Sequence, residues 1–348
     1  MGRLVDNILS RNKHLAEKVV FVDGLPGCGK TMVSQLISGL DRVELLSYAQ
    51  DVEHICHLRF LGKISEDAAK TMIRMQTDIK LYNTMMGRDV NFRRTDLSSV
   101  YRNHNPGLYF ERLFGPGDAE VPELIKRQKP ILNIATHNML GISTPIFQAL
   151  NDRCLFIEVV RHPLYMIRQL ALNFVNLDND VRNFSLHYEY NKSEVPFYTL
   201  GWEETFLAAT PVGKAVAYME NCGLRNQLKR KELNKEGSVK IITIPFERLV
   251  LDPEPWVSLI AEGIGSRISE VTLKIMQEQN VPRQRVAAGI DLEIYRRCGW
   301  VPPKTGASER DELDLRRQDV LNEEGDEVAR ALDKLSSNYE SVYWNPDS

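Results

Sequence analysis

The chain has 348 residues, of which 43% are hydrophobic and 26% are charged, and its formal net charge is −3. This composition is ordinary for a globular protein, and so small a charge gives no basis for bulk nucleic-acid binding. No apolar run is long enough to predict a membrane span, and the charged N-terminal segment does not resemble a secretory signal. Five scattered cysteines without a CxxC pair predict neither a zinc site nor a disulfide framework. We therefore expect a cytoplasmic protein without membrane insertion.

Apolar segments alternate with helical segments along the chain. Apolar runs predict buried strands over 18–23, 43–46, 130–136, 154–160 and 239–245. The intervening patterns predict helices over 29–39, 48–83, 163–175, 208–235, 253–280 and 324–342. This alternation predicts an α/β fold, a parallel sheet of about five strands with helices on both faces.

Two segments depart from this alternation. Residues 84–118 read as an irregular, cationic insertion, and residues 176–202 have no clear periodicity. Because no linker is visible, we expect a single domain over 1–348. Its core covers about 18–280, and an Arg-rich extension with a final helix covers 281–348. Ligands of such sheets bind at the carboxyl ends of the strands, so the residues there are the candidate site.

The residues after the first strand fit the phosphate-loop pattern GxxxxGK[ST] without a mismatch: Gly24, Leu25, Pro26, Gly27, Cys28, Gly29, Lys30 and Thr31. The glycines let backbone N–H groups turn toward an anion, and the following helix points its positive end at the same place. Lys30 adds a charge and Thr31 a hydroxyl. Cys28 lies at a helix N-terminus, which lowers a thiol pKa, but we interpret it as a small loop residue.

Magnesium in nucleotide hydrolases is usually held by an Asp at the end of a second apolar strand. Here the third predicted strand ends in Ala-Thr-His and the fourth in Val-Val-Arg. Asp23 and Asp51 are the remaining candidates. The loop therefore fits phosphate binding better than hydrolysis, and no metal site is predicted.

Three further segments follow the later strands: Thr136-His137, Arg161-His162-Pro163, and 246–253 with Gly265 after it. In this order and strand context, together with the loop at 24–31, they resemble the sulfotransferase family over about 20–265. The resemblance implies the donor 3′-phosphoadenosine 5′-phosphosulfate (PAPS), whose phosphosulfate would lie in the loop. It implies Arg161 as a ligand of the 3′-phosphate and His137 as the general base, with Lys30 stabilising charge on the bridging oxygen.

The sequence departs from the family pattern at three positions. Gly27 stands where the family often has a reactive Lys, Ala135 stands where it often has a Lys before Thr-His, and Gln169 replaces a Ser. Gln169 is still able to hydrogen-bond a phosphate. Arg283 and Arg285 match a basic loop that the family places over the 3′-phosphate, with a solvated surface as the alternative.

The acceptor implied is a small molecule or glycan with a hydroxyl or amine. An acidic acceptor would suit the arginines of the insertion, although a salt-bridged insertion is the slightly preferred interpretation of Arg88, Arg93, Arg94 and Arg102. Two other functions stay open. One is a P-loop kinase that uses ATP and Mg²⁺ on a small metabolite, which the intact Gly29-Lys30-Thr31 supports. The other is a nucleotide-responsive binding protein without turnover. The oligomeric state is left open.

Overall fold

The computed structural model describes residues 7–115, 117–178, 180–237, 239–288 and 308–347. The strands are β1 Val19–Asp23, β2 Ser47–Tyr48, β3 Leu132–Ala135, β4 Cys154–Val160, β5 His187–Tyr190, β6 Ser193–Pro196 and β7 Lys240–Pro245. The helices of the first half are α1 Lys30–Ile37, α2 Gln50–Phe60, α3 Glu66–Met85, α4 Pro106–Arg112, α5 Val121–Gln128 and α6 Thr144–Leu150. Those of the second half are α7 Pro163–Leu177, α8 Glu203–Ala208, α9 Pro211–Glu236, α10 Phe246–Leu251, α11 Glu254–Ile264, α12 Glu270–Glu278, α13 Glu309–Glu324 and α14 Asp326–Val342.

Five of the strands form one parallel sheet in the order β2-β3-β1-β4-β7. The first strand is central and pairs with β3 on one side and β4 on the other. The predicted fold class, an α/β fold with a parallel sheet of about five strands and helices on both faces, is confirmed. The division into one domain stays a prediction.

The sheet is buried on both faces because helices cover each side. Val20 and Val22 belong to the core shared with α1, α7 and α9, whereas Val19 and Phe21 belong to the core shared with α2, α3 and α6. Alternate residues of a strand point to opposite faces, so a strand covered on both sides has to be apolar throughout. This is why the uninterrupted apolar runs of the sequence locate the central strands.

The strand expected over 43–46 is displaced. Val43 forms an isolated parallel bridge to Ile131, and the ladder with β3 is made by Ser47 and Tyr48. Between them the backbone N–H of Leu45 donates to the hydroxyl of Tyr109, at 2.7 Å. The insertion thus supplies a partner for a backbone N–H at the open edge of the sheet.

Two helices expected as continuous are divided at glycines with positive φ. Gly62, with φ of 67°, follows α2, and Gly265, with φ of 66°, ends α11.

The antiparallel hairpin of β5 and β6 and the helix α13 lie in segments where no such elements are predicted. Residues 289–307 of the Arg-rich extension, including Arg296, Arg297 and Cys298, lie outside the described residues.

The C-terminal helices pack against the edge of the sheet that carries the candidate site. Tyr339 of α14 donates a hydrogen bond to Glu247, and Glu340 lies 3.0 Å from Nε2 of His162. Burial lowers the pKa of His162 to about 4, while the contact with Glu340 opposes that shift. The neutral imidazole caps α7 by accepting the N–H of Leu164. In the described part of the chain, no helix is both long enough and apolar enough to cross a membrane.

Candidate functional site

The loop between β1 and α1 has the backbone conformation of an anion cradle. Gly24, Gly27 and Gly29 all have positive φ, at 152°, 88° and 94°. A Cβ on Gly29 would lie 2.2 Å from the ring of Phe246, and a Cβ on Gly24 would lie 2.4 Å from the carbonyl oxygen of Val159. Only glycine fits these two positions, because both the torsion and the space exclude a side chain.

Lys30 and Cys28 are the buried side chains of this loop. The Lys30 side chain is buried and folds back, so that its Nζ lies 3.4 Å from the carbonyl oxygen of Gly24. Burial raises the pKa of the Cys28 thiol, although the charge of Lys30 opposes the shift. The expectation that the helix N-terminus lowers this pKa is therefore wrong, because desolvation outweighs the nearby positive charge. Its interpretation as a small loop residue stands.

Two arginines from different parts of the chain lie against one aromatic ring beside the loop. Arg161, after β4, donates from Nη1 to the carbonyl oxygen of Gly27 at 3.0 Å, and its guanidinium lies 4.4 Å from the ring centroid of Phe246. Arg283 lies 5.6 Å from the same ring. Burial, followed by the charge of Arg161, lowers the pKa of Arg283 to about 10. These two guanidiniums, here called the cation pair, place two positive charges around the ring of Phe246 beside the loop.

The fully buried carboxyl group of Glu247 lies near Arg161. Burial raises its pKa, and the charge of Arg161 opposes that shift. Glu247 already accepts hydrogen bonds from the backbone N–H of His162, at 2.9 Å, and from Tyr339. Among the described residues, no carboxylate forms an ion pair with Arg283, which donates instead to two backbone carbonyl oxygens. The pair is therefore suited to an external anion.

The other predicted phosphate ligands lie in different places. The amide oxygen of Gln169 lies 3.2 Å from the position of a Cβ on Gly27, so this side chain borders the loop. Arg285 lies 3.9 Å from Glu309 and 3.7 Å from Glu312, and it donates to the carbonyl oxygen of Ser308. The structure therefore brings Gln169 to the loop and directs Arg285 toward α13.

His137 lies at the turn after β3, as expected, and is held by a residue that the sequence does not single out. Its Nδ1 lies 3.0 Å from Oε1 of Glu53, and its backbone N–H donates to the same oxygen at 2.8 Å. Its ring stacks on Tyr48 with centroids 5.9 Å apart. The His137 side chain is 46% exposed, whereas that of Glu53 is 9% exposed. Glu53 thus holds the ring at Nδ1, while about half of the side chain stays exposed to solvent.

Asp23 holds the same turn from the sheet side. Its carboxylate accepts the hydroxyl of Thr136 and the N–H of Met139, both at 2.9 Å, and the N–H of Leu140 at 3.0 Å. Burial raises the pKa of Asp23, while these backbone hydrogen bonds oppose the shift. Its oxygens are therefore committed to the turn. Asp51, the other candidate for holding magnesium, lies in the first turn of α2.

Two cavities lie near the insertion. One, of about 190 Å³, lies between the end of β2, α3 and the insertion, and Tyr48, Lys80, Asp89 and Asn91 line it. Tyr48, which stacks on His137, thus forms part of the wall of this cavity. The other, of about 470 Å³, is lined by Arg42, Asn103 and Arg267 at the far end of α1 from the loop. The smaller cavity is therefore the one relevant to the site.

Comparison with known proteins gives structural similarity alone. No protein-family model matches the chain, and no curated protein matches it in sequence. A sulfotransferase from Mycobacterium avium is 13% identical with a TM-score of 0.43, covering 95% of this chain and 78% of that one. The sulfotransferase domain of the Synechococcus PCC 7002 olefin synthase is 13% identical with a TM-score of 0.36, covering 92% and 98%. A mouse sulfotransferase complexed with PAP is 12% identical with a TM-score of 0.35, covering 94% and 91%. The solved structures similar to this chain thus include sulfotransferases, and its fold assignment rests on its own strand order and phosphate loop.

Proposed function

We propose that this chain is a sulfotransferase that takes a sulfuryl group from PAPS and transfers it to a hydroxyl or amine. The observation that carries the proposal is the cation pair, Arg161 and Arg283, beside the phosphate loop. A nucleoside 3′,5′-bisphosphate has two separate anionic groups. The loop fits one of them, and the cation pair fits the other. Arginine suits the second group because its planar fork matches phosphate geometry.

The residues of the loop fit the phosphosulfate end of the donor. When bound, PAPS supplies an activated sulfuryl group on its 5′-phosphate. In this proposal the backbone N–H groups of the loop and the first turn of α1 bind the anionic end of the donor, and Gln169 offers an amide at the edge of the loop. Lys30 has its ammonium group at the loop, next to the carbonyl oxygen of Gly24. No metal ion is needed for these contacts.

In this proposal two side chains, His137 and Lys30, take part in the transfer. As the acceptor oxygen or nitrogen bonds to sulfur, its proton moves to the exposed edge of the His137 ring. The bond between sulfur and the bridging oxygen breaks, and its electron pair stays on the phosphate. Lys30 and the loop amides stabilise that negative charge in a partly buried site. The step balances without a further reactant.

The acceptor enters, in this proposal, through the cavity that adjoins Tyr48. Its volume of about 190 Å³ suits a small molecule or one sugar of a glycan. Its lining includes Lys80 and Asp89, which carry opposite charges. The insertion arginines offer less support for an acidic acceptor, because Arg88 pairs with Asp118 and Arg93 with Asp96, at 3.7 and 3.3 Å. A neutral, polar acceptor is the better match.

A P-loop kinase is the second candidate, since Gly29, Lys30 and Thr31 complete the loop pattern. The three hydrogen bonds that Asp23 accepts count against it as a magnesium ligand.

Transfer of radioactive sulfate from PAPS to a panel of alcohols, phenols, amines and sugars tests the first proposal. The expected result is transfer to at least one acceptor that is lost in His137→Ala. Phosphorylation from ATP with Mg²⁺, without sulfuryl transfer, would favour the kinase.

A further inference from the structure

We infer that Glu53 is a positioning residue for His137, which fixes the imidazole as the tautomer protonated at Nδ1 and leaves Nε2 to accept a proton. The role of that proton acceptor rests on the proposed sulfuryl transfer. The tautomer itself does not, because it follows from contacts inside the protein. Glu53 lies far from His137 in sequence, on the helix α2, and belongs to no motif.

The geometry assigns the hydrogen between the two side chains. Oε1 of Glu53 lies 3.0 Å from Nδ1 of His137 and accepts the backbone N–H of the same residue at 2.8 Å. An ionised carboxylate has no hydrogen to donate, so Nδ1 has to carry it. A neutral imidazole has one N–H, which leaves the lone pair on Nε2. The half-exposed ring presents that nitrogen away from Glu53.

The fold supports Glu53 at this point. It lies in the first turn of α2, where the positive end of the helix favours a carboxylate, and its own N–H bonds to the carbonyl oxygen of Ala49. On the other side, Asp23 holds the turn through Met139 and Leu140. The backbone of His137 is thus fixed between two buried carboxylates, and only its ring edge is open.

Among the ion pairs of the described residues, Glu53 is the carboxylate that contacts the ring of His137. Tyr48 stacks on its face. His57, one turn along α2 from Glu53, stacks on Phe197 with centroids 3.6 Å apart. Burial, followed by the charges of His54 and His137, lowers the pKa of His57 to about 3. His57 therefore stays neutral near pH 7, and a positive charge formed on His137 is stabilised by Glu53.

The tautomer is measured directly by NMR on the full chain without donor or acceptor. Histidine labelled with ¹⁵N distinguishes Nδ1–H from Nε2–H, and His137→Gln assigns the signal. The wild-type protein is expected to hold the Nδ1–H form, and Glu53→Ala is expected to lose that preference. The matched control is Glu66→Ala, which removes an exposed carboxylate from the first turn of α3 and leaves the His137 signal unchanged. A wild-type protein with the Nε2–H form would overturn the inference without any variant.

Measurements of kcat and KM distinguish a positioning role of Glu53 from a purely structural one. Glu53→Gln keeps an oxygen that accepts both hydrogens, so it should fold and keep the tautomer while losing the charge. We expect kcat to fall about tenfold in Glu53→Gln and about 100-fold in Glu53→Ala, with little change in KM for the donor. An unchanged kcat in Glu53→Gln contradicts the role of the charge. The expected tautomer with no transfer to any acceptor would keep the inference and reject the proposed function.

Discussion

Arg161 and Arg283 approach one ring, that of Phe246, at 4.4 and 5.6 Å, and the same ring fills the space that a Cβ on Gly29 would need. One aromatic side chain therefore joins the phosphate loop to the cation pair. Stacking on an aromatic face is favourable for a guanidinium and leaves its N–H groups available to a ligand. The loop and the pair are thus positioned as one site.

Arg161→Ala should separate stability from ligand binding. In the free protein the variant loses one hydrogen bond, contacts with Phe246 and Tyr165, and the positive charge beside the buried Glu247, although it also relieves repulsion of Arg283. We expect a net loss of about 1–3 kcal/mol in the free energy of unfolding. The rise in Tm caused by 3′-phosphoadenosine 5′-phosphate should fall by more than half, because a charged hydrogen-bond donor is lost. Thermal unfolding with and without the bisphosphate measures both.

The matched control for this experiment is Arg168→Ala, which removes a guanidinium from α7 that pairs with Glu323. It should leave the ligand-induced rise in Tm unchanged. An equal loss of that rise in both variants would indicate a general charge effect and would count against a specific site at Arg161.

Gly29→Ala should disable the loop. The added Cβ would lie 2.2 Å from the ring of Phe246, at a residue whose φ is 94°. Strain of about 1–3 kcal/mol and displacement of Phe246 are expected, together with loss of bisphosphate binding. Gly223→Ala is the control, because Gly223 lies inside α9 with no atom within 4 Å of its would-be Cβ. It should stabilise the protein by about 0.5–1 kcal/mol. Urea unfolding and ligand titration test both, and normal binding by Gly29→Ala would refute the loop assignment.

His57→Phe should raise stability and flatten its dependence on pH. Both ring nitrogens of His57 are buried without a hydrogen-bond partner among the described residues, which is unfavourable. Its native pKa of about 3 lies below that of the unfolded chain. As the pH falls below about 6.5, the unfolded state therefore gains a proton that the native state does not, and stability decreases.

Between about pH 7.5 and pH 5.5 the loss of stability should be about 1.4 kcal/mol smaller in His57→Phe than in the wild-type protein. Urea unfolding at the two pH values gives this difference. His162, with a native pKa of about 4, contributes to the remaining loss in both proteins. A variant with the wild-type pH dependence would show that His57 takes up a proton in the native state.

The buried ion pair between Arg230 and Glu158 should be far more sensitive than an exposed one. Arg230 donates to both oxygens of Glu158, at 2.7 and 2.8 Å, and to Tyr343 at 2.6 Å. Arg230→Ala leaves a buried carboxyl group without its partner, so we expect a loss of about 3–5 kcal/mol. Arg317→Ala removes a partly exposed pair with Asp333 and should cost less than about 1 kcal/mol. Equal losses in the two variants would contradict this burial argument.

The central strands and the phosphate loop were accessible from sequence because their patterns are local. A strand covered on both faces is apolar at every position, and the loop pattern is continuous. The hairpin of β5 and β6 was not accessible in this way. Its turn residues, Asn191 and Lys192, both have positive φ, as a two-residue hairpin requires, but the usual signal is Asn followed by Gly. Lysine at the second position weakens that signal.

The sequence predicts only those residues of the site that directly follow a strand. His137 and Arg161 each follow a strand, so their edge of the sheet was predictable. Glu53 and Arg283 reach the site through tertiary packing, Glu53 from α2 and Arg283 after α12. Whether Arg283 or Arg285 would face the loop depends on where Glu309 and Glu312 lie, and α13 supplies them to Arg285. No local pattern encodes such a choice.

The most direct test of the proposed function is calorimetric titration of the wild-type protein with 3′-phosphoadenosine 5′-phosphate and with ATP, each with and without Mg²⁺. The bisphosphate is expected to bind without metal and more tightly than ATP, because its second phosphate binds at Arg161 and Arg283. Tighter binding of ATP that requires Mg²⁺, with no preference for a 3′-phosphate, would contradict the proposed function.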